Sequence, residues 1–331
     1  MGPFTFQPVW VTQDLLTYVA AMITVFYIVR TERRPTVVLT EMFAFVLLDA
    51  AVFENLATVE RMYGYGKSMI MVFNVPLSVP LFEFMILYAS LRLLAAMRMP
   101  MWTRPILAGF LAVIADFTLD PVAVKQIFST AEGTIGRWTW FTKPGAVRIY
   151  GEPVSNFTGW MLIIGLAAAF FLLGRWWHRR SGYSAVVGYV YPVLAALASL
   201  LVLVTPLASF VLNLWPLFKP GGDVEFVMLA VVLVVPTIIL AVYWKPGRTQ
   251  RLSLRTDFAL FAVLGGFPAI NLLFCVFGGY WQILWLVALA CVALWVTVFA
   301  VYRAGRRTVR RDAAERAGSD SGVKSAVGLL A

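Results

Sequence analysis

The chain has 331 residues, of which 61% are hydrophobic and only 13% charged, with a formal net charge of +10. Soluble domains carry roughly 25% charged residues, so this composition excludes an ordinary soluble fold and points to a polytopic membrane protein. Lys and Arg cluster in short segments between long apolar runs, which argues against a nucleic-acid surface. The only histidine is His178, in RWWHRR, so a haem, zinc or di-iron centre built mainly on histidine is excluded. Cys275 and Cys291 lie in apolar segments and form no CxxC pair. No GxGxxG follows a strand, and no Walker A sequence occurs.

A membrane span needs about 20 mostly apolar residues. In chain order the candidates are 11–29, 37–59, 69–91 or slightly later, 103–124, 155–176, 184–212, 224–244, 258–277 and 281–302. The expectation is an all-α integral membrane helix bundle of about nine transmembrane helices over residues 1–302. A basic, disordered tail at 303–331 follows it. The first span begins too late and runs too long for a cleaved signal peptide. Pro76 and Pro80 delay the regular part of the third helix. With the N-terminus outside and the C-terminus cytoplasmic, twenty Lys and Arg fall on the inner side and seven on the outer. That asymmetry follows the positive-inside rule.

The spans between residues 37 and 124 hold Glu41, Asp49, Glu54, Glu83, Asp116 and Asp120. An intramembrane acid costs a few kcal/mol or more, so it usually faces a bundle interior or a wet cavity. Glu41 sits near a span end and reads as a solvated flank. Asp116 and Asp120 are four apart and share a helical face, and Pro121 is expected to end or bend that helix. Together with Asp49, Glu54 and Glu83 they converge on one cavity in the outer half of the membrane. Two plainer readings stand beside this: Asp120 at the water interface, and Asp49 as a packing hydrogen bond. Neighbouring carboxylates repel, so one of such a pair tends to hold a proton while the other is ionised. A general acid then sits beside a general base.

The connection at 125–154 is the longest polar one between spans. It contains GRWTWF (136–141) and leads into YGEPVSNFTGW (150–160). Ser155 or Asn156 is placed to cap the following helix. Trp138, Trp140, Tyr150 and Trp160 form either an interfacial aromatic belt or a lid whose ring faces hold a polyene and stabilise a carbocation. Asn156-Phe157-Thr158 matches a glycosylation sequon, a weak signal at a helix start.

DFTLDPVAV, the Gly-Arg-Trp-Thr-Trp segment and YGEPVSNFTGW together resemble the bacterial and archaeal carotenoid biosynthesis membrane proteins that include the carotenoid hydratases of the bisanhydrobacterioruberin and γ-carotene type. NVPLSVPLFEFMILYAS (74–90) and Glu54 fit the same pattern, and Glu152 departs from it, standing where a small apolar residue is expected. The resemblance covers 45–177 as the catalytic part, with 183–302 as additional helices. It implies a lyase-class hydratase that adds water to a terminal isoprenoid double bond, without metal or redox cofactor. Asp116 and Asp120 would be acid and base, Glu54 and Glu83 their support, and Asn156 the residue that orients water. Asp49, Trp138, Trp140, Tyr150, Ser155, Phe157 and Trp160 would complete the substrate site. The implied partners are a carotenoid or other long isoprenoid lipid, membrane lipid and other carotenoid enzymes. The implied location is a prokaryotic cell membrane. The alternatives are a Mg2+-dependent membrane prenyltransferase, a proton-coupled transporter and a non-catalytic polyene-binding scaffold.

Overall fold

A computed structural model describes residues 7–130, 133–141, 147–205 and 223–328, with the backbone alone at 130, 223, 224, 310 and 312–328. Among the described residues, nine helices are long and apolar enough to cross a membrane. They are α1 (Pro8–Thr31), α2 (Pro35–Val59), α3 (Ser78–Ala96), α4 (Thr103–Lys125), α5 (Val154–Arg180), α6 (Ala185–Val204), α7 (Asp223–Tyr243), α8 (Phe258–Phe277) and α9 (Trp281–Gly328). Pro8 and Pro35 open α1 and α2, where a fixed φ suits the first turn and no donor is lost. Thr17 and Thr24 turn their hydroxyls onto the carbonyls four residues back, at 2.9 and 2.8 Å, and so sit inside an apolar helix with their polarity satisfied.

The fourth helix is the centre of the bundle: 89% of its apolar window is buried, against 17% for α7. It packs on α3, α5, α7, α8 and α9. Against α5 the approach needs a glycine. A Cβ on Gly109 would stand 2.5 Å from the Met161 carbonyl oxygen, so only a residue without one lets the two backbones meet. Because the helices are antiparallel, that contact brings the turns carrying Asp116 and Asp120 opposite Asn156 and Trp160.

Among the described residues, two helices carry a π-helical turn, Phe45–Ala50 in α2 and Ala262–Gly266 in α8. Such turns leave backbone carbonyls to be satisfied elsewhere and are frequent at functional sites. The turn in α2 contains Asp49.

Among the described residues, the loops at the α4–α5 end form four two-stranded antiparallel pieces. Strand β1 (Tyr63–Tyr65) pairs with β6 (Trp138–Trp140), β2 (Met71–Val72) with β3 (Val75–Pro76), β4 (Ile127–Thr130) with β5 (Gly133–Gly136), and β7 (Arg148–Ile149) with β8 (Glu152–Pro153). The β7–β8 loop is Tyr150-Gly151, with both φ values positive, at 55° and 110°. That geometry matches the strand twist of a two-residue hairpin, and it returns Glu152 toward α4.

Ion pairs with buried or partly buried carboxylates tie the elements together. Arg175 on α5 meets Glu41 of α2 at 2.5 Å, and Tyr191 of α6 donates to the same carboxylate at 2.6 Å. Arg92 of α3 meets Asp257, just before α8, at 2.9 Å and Glu32 at 3.7 Å. Asp14 of α1 accepts from Arg137 at 2.6 Å, from Ser78 at 2.7 Å and from Ser68. Arg137 thereby pins β5 and β6 onto α1 and α3.

Several expectations need correction. Glu41 is no solvated flank but a buried acid held by Arg175. The third span starts late, as the delay at Pro76 and Pro80 implies: β2 and β3 lie within residues 69–77, and α3 starts at Ser78 with Pro80 in its first turn. Pro121 does not end α4, which runs four residues further to Lys125; its missing N–H falls in the last turns, where little ladder remains to break. Neither Ser155 nor Asn156 caps α5, whose N-cap is Pro153 with no side-chain bond. The sixth span ends in helix at Val204, and 206–212 lies outside the described residues. Helix α9 continues to Gly328 through a stretch read from sequence as disordered; its Ala, Arg and Glu content favours helix.

Candidate active site

The acids gather at one end of α2, α3 and α4, beneath the loops. Asp116 and Asp120, both fully buried, lie in hydrogen-bond contact with each other. Asn156 on the first turn of α5 bridges them, its Nδ2 donating to Asp116 Oδ2 at 3.0 Å and to Asp120 Oδ2 at 2.7 Å. The Trp160 indole donates to Asp120 Oδ2 at 3.3 Å. The spacing of four on α4 meets a spacing of four on α5, so two turns of each helix form one polar patch.

Glu54 of α2 and Glu83 of α3 form a second pair in hydrogen-bond contact. Glu54 Oε2 accepts from Tyr63 at 2.9 Å and also from Tyr65. A hydrogen bond between two carboxyl groups requires a proton on one of them. The pairs feel one another, since Glu54 and Glu83 both interact electrostatically with Asp120.

The register of β1 against β6 supplies the cover. Tyr63 faces Trp140 and Tyr65 faces Trp138, so alternation puts four aromatic rings on one surface above Glu54. Ring centroids are 4.6 Å apart for Tyr63–Trp140, 4.9 Å for Tyr65–Trp138 and 5.7 Å for the stacked Trp138–Trp140. Burial, and then the charge of Glu54, hold both phenols well above the ordinary tyrosine range. They act as hydrogen-bond donors at any working pH. Glu152 on β8 is buried as well. Burial first, then the Asp120 charge, raises its carboxyl well above the usual range.

A largely apolar cavity adjoins this cluster. Its wall includes Leu119, Tyr65, Trp138 and Trp160. Neither carboxyl pair lines it directly. Each lies one side chain behind the wall, Glu54 behind Tyr65 and Asp120 behind Trp160.

The structure thus brings together Glu54, Glu83, Asp116, Asp120, Asn156, Trp138, Trp140 and Trp160. Asp49 is buried one step away, in electrostatic contact with Glu83 and beside Ser199. Other candidates lie elsewhere. Ser155 is exposed. Phe157 stacks on Phe117 at 4.3 Å between α4 and α5. Tyr150 accepts from the Trp285 indole of α9 at 2.8 Å. Sequence reasoning missed Tyr63 and Tyr65, whose signal was the alternating Tyr-Gly-Tyr that pairs with Trp-x-Trp. It also missed Asp14, an acid inside the first span. Among the described residues, no group of three or more His, Cys, Asp or Glu side chains is arranged to hold a metal ion.

A family model described as carotenoid biosynthesis protein matches residues 14–219. The chain belongs to the carotenoid biosynthesis protein family. The match begins at the buried Asp14 of α1 and takes in every acid of the site, a wider span than the 45–177 read from sequence motifs. Helices α7 to α9 lie beyond it. No curated protein and no solved structure matches the chain significantly.

Proposed function

We propose that the protein is a carotenoid hydratase, adding water across a terminal isoprenoid double bond to give a tertiary alcohol. The observation that supports this reading best is the pairing of carboxyl groups immediately behind the wall of an apolar cavity, under a surface of four aromatic rings. The pairs store protons, and the cavity suits a long hydrocarbon.

Tyr65 both lines the cavity and donates to Glu54, so it is the group through which the Glu54–Glu83 pair reaches the alkene. Its hydroxyl proton passes to the less substituted CH carbon of the terminal double bond while the proton shared by the two glutamates moves onto the phenol oxygen. The alkene π electrons form the new C–H bond and leave a tertiary cation. The ring faces of Tyr65 and Trp138 stabilise that cation. Water then adds its oxygen to the cationic carbon and gives up a proton to Asp120. Of the three bonds to Asp120 Oδ2 and its partner, the one from Trp160 is longest at 3.3 Å, so the indole is the group that yields to let water in. Asn156 keeps the aspartates oriented. Return of the proton from the aspartate pair to the glutamate pair restores the starting state, with no net change except addition of H2O. General acid–base contributions of this kind are worth about 10²–10⁴-fold each.

The protein would sit in a prokaryotic cell membrane with its N-terminus outside, working on a polyene supplied by other carotenoid enzymes. Expression in hosts that make lycopene, γ-carotene or longer acyclic carotenoids tests the reading. Extracts should contain a product heavier by one water, and its absence with every substrate would rule the hydratase out.

A further inference from the structure

The family match stops at residue 219, yet the cavity does not. Phe267, Ile270, Asn271 and Phe274 of α8 line it. They recur at i, i+3, i+4 and i+7, so one face of this helix is turned into the cavity. Phe267 packs edge-on against Phe82, one residue from Glu83, with centroids 4.9 Å apart. Asn271 donates to Thr118 Oγ1 of α4 at 3.3 Å, between Asp116 and Asp120 in sequence. The helix is also held in place for this. Its π-helical turn Ala262–Gly266 frees backbone carbonyls just before Phe267. Helix α9 meets that region with two side chains a turn apart: Trp295 donates to the Gly265 carbonyl at 2.9 Å, and Cys291 Sγ to that of Pro268 at 3.1 Å.

We propose that α8, braced by α9, is the substrate-selecting wall of the cavity: Phe267, Ile270 and Phe274 grip the polyene chain, and Asn271 is a positioning residue that fixes α8 against the turn of α4 bearing the aspartates. The inference rests on the reading of this cavity as the substrate site. It places the chemistry inside the family-matched part and the choice among long isoprenoid chains outside it.

The test measures polyene retained by the purified full-length protein after expression in a carotenoid-producing host, read by visible absorbance per mole of protein. Phe274→Ala should retain about a tenth of the wild-type amount, as expected for loss of one ring from an apolar wall. Phe274→Leu, which keeps apolar volume without the ring, should retain an intermediate amount and shift which polyenes are bound. Leu273→Ala, on the exposed side of the same helix at 53% exposure, should retain the wild-type amount and profile. Equal retention by wild type and both Phe274 variants overturns the proposal, as does a loss in Leu273→Ala equal to that in Phe274→Ala. Retention needs no turnover. If the retention pattern holds while no water is added, the hydratase reading fails and the wall stands. If hydrated product forms while Phe274 is indifferent, the wall fails alone.

Discussion

Asp14, Glu41 and Asp257 meet arginines, whereas Glu54, Glu83, Asp116 and Asp120 meet one another, two phenols, an amide and an indole. Both groups are buried, so burial does not separate them. An acid matched by an arginine is a fixed charge, and its job is to hold α1 to the loops, α2 to α5, or α3 to the start of α8. Under the proposed function, acids that meet one another share a proton that can leave. On that proposal the first group serves stability and the second reaction, and each substitution below pulls the two apart.

The largest effect is expected from Asp120→Asn. Product formation should fall about a thousandfold, while thermal unfolding in detergent and retained polyene stay near wild type. An unfolded variant would instead place Asp120 with the structural acids. Arg175→Met should do the opposite. It leaves Glu41 buried without its partner, at about 3–5 kcal/mol, so the unfolding midpoint drops while turnover per folded molecule is unchanged. Adding Glu41→Gln should recover part of that stability.

Tyr65→Phe comes next, with turnover reduced about a hundredfold. Tyr63→Phe should cost about tenfold or less, the net value of one ordinary hydrogen bond. Both hydroxyls bond Glu54, but only Tyr65 lines the cavity. Equal effects from the two would remove Tyr65 from the proton path.

The smallest effect concerns Glu152. Its carboxyl lies above the ordinary range because of burial and then Asp120, so the folded chain favours the protonated form. The stability it contributes is present below the ordinary glutamate range and is lost as pH rises through the folded value. The slope is at most about 1.4 kcal/mol per pH unit. Glu152→Gln should flatten this fall in a series of unfolding midpoints against pH; an unchanged slope would show that Glu152 does not titrate there.

The helices were legible because span length and hydropathy are local properties. So was the Asp116–Asp120 pair, since a spacing of four settles which helical face both share. What stayed hidden depends on partners far along the chain. Tyr65 joins the site only because β1 pairs with β6, more than 70 residues on. Arg137 counted as a loop charge, yet it is buried against Asp14. Ser155 and Asn156 are adjacent in sequence, and a helix turns neighbours about 100° apart, so one meets the aspartates and the other meets solvent. The part played by the additional helices at 183–302 was not legible, because an apolar face lining a cavity has the composition of one facing lipid.

The most direct measurement of the central claim is incubation of the purified protein with an acyclic carotenoid in water enriched in 18O, followed by mass spectrometry of the product. The account predicts a tertiary alcohol whose oxygen carries the label, formed by wild type and lost in Asp120→Asn. A hydroxylated product without the label, or labelled product undiminished in Asp120→Asn, would contradict it.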